Sequence, residues 1–222
     1  MSLRIHGTPF SSPYRTVAMT AEILRVKYEL VKVNPLKGDA LKPDFLAINP
    51  QHNIPVTEHG KFTLNESRAI VGYLATEFDK SRKLYPNDTS IHAKINQRLY
   101  FDSNVFYKRM YDITLPMILK KKEVSNVKFS LLEEATAWAN DMVNVSGYVA
   151  STDGLTIADI CCLATYSSID ACSLISLDPY KELNDWAKRC ASQIPNYELV
   201  NQKGAMEFGE LYKNNLKRTS VV

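Results

Sequence analysis

Hydrophobic and polar positions change period once along this chain. Between residues 3 and 80, short strand-like runs alternate with runs at helical spacing; after about residue 88 helical spacing continues to the end. The change falls near SRKLYPND, which predicts a mixed part at 1–80, a linker at 81–88 and an all-helical part at 89–222. In the first part LRIHG predicts a strand. Pro13 to Leu24 predicts a helix with Val17, Ala21 and Leu24 on one face, and YELVKVN a second strand, so the two strands run parallel. A short helix around Lys42–Ile48 follows, then a strand after Pro55, a turn at His59–Gly60 and a strand at KFTLN, close enough to form an antiparallel hairpin. A helix from Glu66 to Phe78 closes the unit, with Ile70, Tyr73, Leu74 and Phe78 at helical spacing.

The order β-α-β-α-β-β-α is that of a small thioredoxin-like α/β sheet, so the expected fold class is α/β plus all-α: a thioredoxin-like unit followed by a helical bundle. In the bundle the sharpest local signal is GLTIADI at 154–160, with Thr156 as N-cap, Asp159 reaching back to it and Leu155 stapled against Ile160. The apolar run from Ile160 through Leu163, Ala164 and Ile169 predicts the central buried helix.

Composition narrows the class. Of 222 residues 45% are hydrophobic and 23% charged, the profile of a soluble globular protein, and 27 basic against 24 acidic residues leave a charge of +3. That balance calls for neither nucleic acid nor a membrane surface. The densest basic cluster, LKKKE at 119–123, reads as a solvated helix end. No stretch approaches the roughly 18 apolar residues of a membrane span, and MSLRIHG lacks a signal-peptide core, so a cytoplasmic protein is expected. Cys161, Cys162, Cys172 and Cys190 lack C-x-x-C spacing and a companion His, and the four histidines lack ligand spacing. Buried free thiols and no metal are expected.

Three polar stretches remain to be explained. In SSPYR, Ser12 followed by Pro13 suits a helix start, which leaves Ser11 either to cap or to hold a reactive ligand atom. Ile54–Pro55 at the head of a strand can be cis. Glu66-Ser67-Arg68 opens a helix, where backbone N–H groups and the dipole attract an anion.

SSPYR at 11–15, NPQHNIP at 49–55 and NESRAI at 65–70 together resemble the cytosolic glutathione transferases, and GLTIADI resembles their helical-domain capping segment. The match runs over nearly the whole chain; LKPDFLAINPQHNIP, ESRAI and NQRLYFD at 96–102 are most similar to the insect delta and epsilon classes. The resemblance implies an enzyme that conjugates glutathione, its co-substrate, to small hydrophobic electrophiles in detoxification, acting as a cytoplasmic homodimer. It makes Ser11 the catalytic hydroxyl on the glutathione sulfur. It assigns glutathione binding to His52, Asn53, Ile54, Pro55, Glu66, Ser67 and Arg68, with Arg68 pairing to Asp102. It places an electrophile pocket between Ser11 and the long helices, lined by Tyr107, Met110, Tyr111, Leu115, Phe208 and Tyr212. The rival readings are a glutathione-dependent isomerase, dehydrochlorinase or peroxidase on this scaffold, and a non-enzymatic binder of hydrophobic ligands. Three positions depart from the pattern: Ala40 where many delta members carry His, Asn65 where a larger residue is common, and Thr57 at a usually apolar strand position.

Overall fold

The computed structural model describes residues 2–120 and 124–219. Most of LKKKE, residues 121–123, lies outside them. Strand β1 (Leu3–Gly7), helix α1 (Ser12–Ile23), β2 (Tyr28–Lys32), α2 (Pro43–Ile48), β3 (Val56–His59), β4 (Phe62–Asn65) and α3 (Ser67–Phe78) follow the order the sequence predicts, with two short 3-10 turns at Pro35–Lys37 and Asp39–Leu41. The four-stranded sheet has order β2-β1-β3-β4, with β1 parallel to β2 and antiparallel to β3, and β3 antiparallel to β4. This is the thioredoxin-like arrangement. A polar residue is tolerated at Thr57 because its hydroxyl donates to the Leu64 carbonyl across the hairpin at 3.3 Å, which satisfies it inside the sheet.

Beyond Phe78 the Asp79 carboxylate organises the linker, accepting from Ser81 N–H (3.0 Å), Ser81 Oγ (2.6 Å) and Leu84 N–H (2.9 Å). Helices α4 (Thr89–Phe101), α5 (Tyr107–Lys120), α6 (Asn126–Ser146), α7 (Ile157–Cys172), α8 (Lys181–Ala191) and α9 (Lys203–Thr219) form the bundle. Single π turns, Asp102–Phe106 and Glu198–Gln202, lead into α5 and α9. As expected, α7 is the buried axis. Its capping box forms, with Asp159 Oδ2 accepting both the N–H (2.9 Å) and the hydroxyl (2.8 Å) of Thr156. Asp159 Oδ1 also accepts Val149 N–H and Trp186 Nε1–H, each at 2.9 Å, so one carboxylate ties the cap to α8 and to the preceding loop. Burial raises its pKa despite these donors.

The main core joins both parts: Leu3, Ile5, Val17 and Leu74 from the sheet side belong to one cluster with Ile95, Met110, Leu163 and Trp186. Cys161, Cys162, Cys172 and Cys190 are buried and unpaired, as predicted, and burial drives their thiol pKa values up. Among the described residues no helix is long and apolar enough to cross a membrane, and no group of three or more metal-ligating side chains gathers.

Candidate active site

A cavity of about 500 Å³ opens between the α1 start, the loop before β3, the α3 start and helices α5 and α9. One wall is polar and the other apolar, and the chain reaches each by different local rules.

At the α1 start, the helix begins one residue earlier than Ser12–Pro13 suggests: Ser11 is the N-cap, Ser12 the first helical residue and Pro13 the second. Ser11 has extended φ and ψ (−79° and 117°), accepts the Arg15 N–H at its carbonyl (3.0 Å), and leaves its hydroxyl out of any cap bond. The hydroxyl therefore stands uncommitted at a helix N-terminus on the cavity wall.

The loop Asn49–Pro55 is built around Asn49, which sequence reading passed over. Asn49 is buried; its Nδ2 donates to Asn53 O (3.0 Å) and Oδ1 (2.7 Å), and its Oδ1 accepts Gln51 N–H (3.2 Å). These bonds fold the loop so that Gln51, His52, Asn53, Ile54 and Pro55 all face the cavity, with His52 at a positive φ of 45°. The Ile54–Pro55 peptide is cis. Ile54 lies just before β3, outside the ladder, and its N–H and C=O have no partner among the described residues, which leaves a short free edge on the cavity. Asn65 takes part as well, donating to Gln51 Oε1 at 3.1 Å. Ala40 is buried and does not line the cavity; it sits in the small cluster with Val33, Phe45 and Val56, against which Ile54 packs.

At the α3 start Glu66 has φ 67° and ψ 102°, a strained backbone for a residue with a Cβ, and its exposed carboxylate reaches the cavity. Arg68 also lines the cavity. Its Nε donates to Asp102 Oδ2 (3.0 Å), its Nη2 pairs with the same oxygen, and its Nη1 donates to Ser67 Oγ (2.8 Å). Asp102 is fully buried and accepts Thr165 Oγ1 at 2.7 Å, so the expected Arg68–Asp102 pair exists and is anchored on α7. Burial opposes the Arg68 charge, but the Asp102 carboxylate outweighs it and the guanidinium's pKa rises. Ser67 sits beneath this pair, buried, and does not itself line the cavity.

The apolar wall comes from the expected Tyr107, Met110, Tyr111, Leu115 and Phe208. Tyr107 and Tyr111, one helical turn apart, stack with ring centroids 5.4 Å apart at 26°, and Arg68 lies over the Tyr107 ring at 5.1 Å. Burial raises both phenol pKa values, so both hydroxyls stay protonated at neutral pH. Tyr212 departs from expectation: it is buried in the main core and does not line the cavity, and Leu211, one residue earlier, faces the cavity in its place. Helical spacing narrows the α9 face to a turn but does not set its rotation to within one residue. Phe10, Leu36 and Ile118 also line the cavity, and only the chain path brings them there.

Sequence and structure comparisons agree on where such a site is found. Residues 5–82 match the family model described as glutathione S-transferase, N-terminal domain. The chain is 34% identical over 216 residues to glutathione S-transferase D7 of Anopheles gambiae, covering 96% of this chain and 98% of that protein. Among solved structures, a Nilaparvata lugens delta-class glutathione transferase superposes with a TM-score of 0.92 at 35% identity, covering 96% of this chain and 99% of the other. A glutathione transferase homolog from Drosophila mojavensis, with bound glutathione, superposes with a TM-score of 0.91 at 29% identity, covering 96% and 97%.

Proposed function

The chain belongs to the glutathione S-transferase family, and from that premise we propose that it joins the glutathione thiolate to small hydrophobic electrophiles, with Ser11 holding the sulfur ionised. The observation that carries this reading is the Ser11 hydroxyl, free of any cap bond at a helix N-terminus and opening on a cavity polar on one side and aromatic on the other. A free cysteine thiol has a pKa of about 8.5 and is only a few per cent ionised at neutral pH, and each unit of lowering needs about 1.4 kcal/mol of preference for the anion. A hydroxyl that donates to sulfur, aided by the positive end of α1, supplies that preference. Ser11 acts as donor and not as base, since no His or carboxylate contacts it among the described residues.

The remaining contacts follow from the chemistry of the tripeptide. The N–H groups opening α3 at Ser67 suit the γ-glutamyl carboxylate, and Glu66 suits its ammonium. The free N–H and C=O of Ile54 suit the cysteinyl backbone, and His52, beside Asn53, suits the glycine carboxylate. Arg68, braced by Asp102, fixes the α3 start. The electrophile enters against Tyr107, Met110, Tyr111, Leu115 and Phe208, which exclude water from the attacking sulfur. The enzyme works in the cytoplasm in detoxification, as a homodimer paired along the β4–α3 edge and α4.

Ser11→Ala tests the reading. A charge-assisted hydrogen bond contributes about 1.5–3 kcal/mol, so turnover with a haloarene should fall roughly 10- to 100-fold while glutathione affinity holds. Absorbance near 240 nm should show the bound thiol titrating at higher pH in the variant. Identical titration in wild type and Ser11→Ala would remove Ser11 from the role.

A further inference from the structure

Arg15, on α1, is 0% exposed, yet no carboxylate pairs with it among the described residues. Its donors go to five neutral acceptors: Nε to Asn201 Oδ1 (2.9 Å), Nη1 to the carbonyls of Pro9 (3.3 Å) and Phe10 (3.0 Å), and Nη2 to Ala164 O (3.0 Å) and Ser168 Oγ (2.6 Å). The titratable groups that face it are Tyr197 beside Asn201, Cys172 on α7 and Tyr107 on α5. Burial raises the pKa of each, so none is an anion at neutral pH. Burial pulls the guanidinium down to about 10, which still leaves it charged. A buried cation with no counter-charge is costly, and here five hydrogen bonds to neutral acceptors offset that cost while leaving the charge itself uncompensated.

That charge stands directly behind the Ser11 wall. Two of its acceptors are the carbonyls of Pro9 and Phe10, and Phe10 and Ser11 line the cavity. The one guanidinium among the described residues that lines the cavity, Arg68, is neutralised by Asp102, and the cavity's other charged or titratable lining groups are His52, Glu66, Tyr107 and Tyr111. We propose that Arg15 is a positioning residue that locks the Pro9–Ser11 segment to α7 and supplies the uncompensated positive charge that keeps a glutathione thiolate ionised beside Ser11. The proposal rests on the reading that the sulfur sits at Ser11. A unit charge roughly 8 Å from a titrating group, at an effective dielectric near 20, moves its midpoint by about one pH unit or more.

Asn201→Asp separates charge from scaffolding. It puts a carboxylate where Asn201 Oδ1 meets Nε, in the same shape, and the Tyr197 and Ser167 hydroxyls, which now accept Asn201 Nδ2 at 2.9 and 2.8 Å, can turn to donate, Ser167 giving up the Leu163 carbonyl. The buried charge is cancelled while every contact of Arg15 stays. Glutathione is added to both proteins, binding is followed by calorimetry, and the thiolate is titrated near 240 nm. The expected result is a cooperative unfolding transition as in wild type, glutathione affinity within about threefold at a pH where both thiols are ionised, and a thiol midpoint about one pH unit higher or more. A purely structural Arg15 predicts no change in that midpoint. Equal midpoints in wild type and Asn201→Asp overturn the proposal and leave the Ser11 reading standing; a wild type that binds no glutathione, or binds it without forming thiolate, overturns both. Should Asn201→Asp not fold, Ser168→Asp brings the carboxylate to Nη2 from α7, and the same two outcomes decide.

Discussion

Glu66 combines backbone strain with a side chain the site is expected to use. Its φ of 67° costs on the order of 1–3 kcal/mol for a residue with a Cβ, and the fold retains it where the carboxylate meets the cavity. Two substitutions separate the effects. Glu66→Gly should relieve the strain and raise the unfolding midpoint while glutathione affinity drops about tenfold; Glu66→Ala should lose the same affinity without the gain in stability. Calorimetry and thermal melts check the pair, and wild-type affinity in either variant would show that the carboxylate does not meet the ammonium. Asn49 works differently. It does not line the cavity, yet its three hydrogen bonds at 2.7–3.2 Å shape the loop that carries His52 and Asn53.

Between elements, short polar devices decide geometry. Asp79 binds the linker after α3 through three donors, and although burial pushes its pKa up, those hydrogen bonds outweigh it and hold it below the ordinary carboxylate value. A depressed folded pKa gives stability that is complete above the unfolded value near 3.9 and is lost as the pH falls through the folded one. Unfolding free energy measured from pH 5 downward should therefore fall more steeply in wild type than in Asp79→Asn, with parallel curves above pH 5. Curves parallel throughout would mean that Asp79 plays no part in acid unfolding. Asp159 is displaced the other way, raised by burial, so it is not a source of acid sensitivity, while its four hydrogen bonds make it a structural hub.

At the scale of the molecule, the Ser11 segment is clamped between sheet and bundle. Gly204 in α9 lies so close to it that an added Cβ would stand 2.1 Å from the Pro9 carbonyl and 3.0 Å from Arg15 Cδ. Gly204→Ala must push that backbone aside; overpacking of this kind costs about 1–3 kcal/mol, and turnover should fall with it although residue 204 does not line the cavity. Unchanged turnover and melting temperature would show that the segment is compliant. The outer surface carries a second expectation. Phe62 is 47% and Tyr100 68% exposed, and Phe62 packs on Tyr73 at 4.9 Å with His59 beside it on the β4–α3 edge. Sedimentation at micromolar concentration should give twice the 25.1 kDa chain mass, and Phe62→Ser with Tyr100→Ser should return the single chain. A wild-type species at 25.1 kDa would remove the dimer.

Period, capping and turn chemistry were local enough to be read from the chain: the βαβαββα order, the α7 capping box and the buried thiols all stand where the residues pointed, and each of the three polar stretches puts residues on the cavity wall. The roles proposed for Ser11 and His52, and the expectation of the Arg68–Asp102 pair, rest on resemblance, since an isolated serine or histidine has no signature of its own. What escaped depends on rotation and contact. Whether Ser11 or Ser12 is the cap turns on one residue of helix phase, and the exchange of Tyr212 for Leu211 turns on one more. Arg15 in SPYRTV carries no local sign of its fate; only the packing of α7 and the turn at Asn201, residues 149 to 186 positions away, buries it without a counter-charge. A local pattern fixes which face of an element is apolar. Which distant groups meet a buried charge is set when those faces close on one another, because desolvation acts on a guanidinium only after the whole core has excluded water.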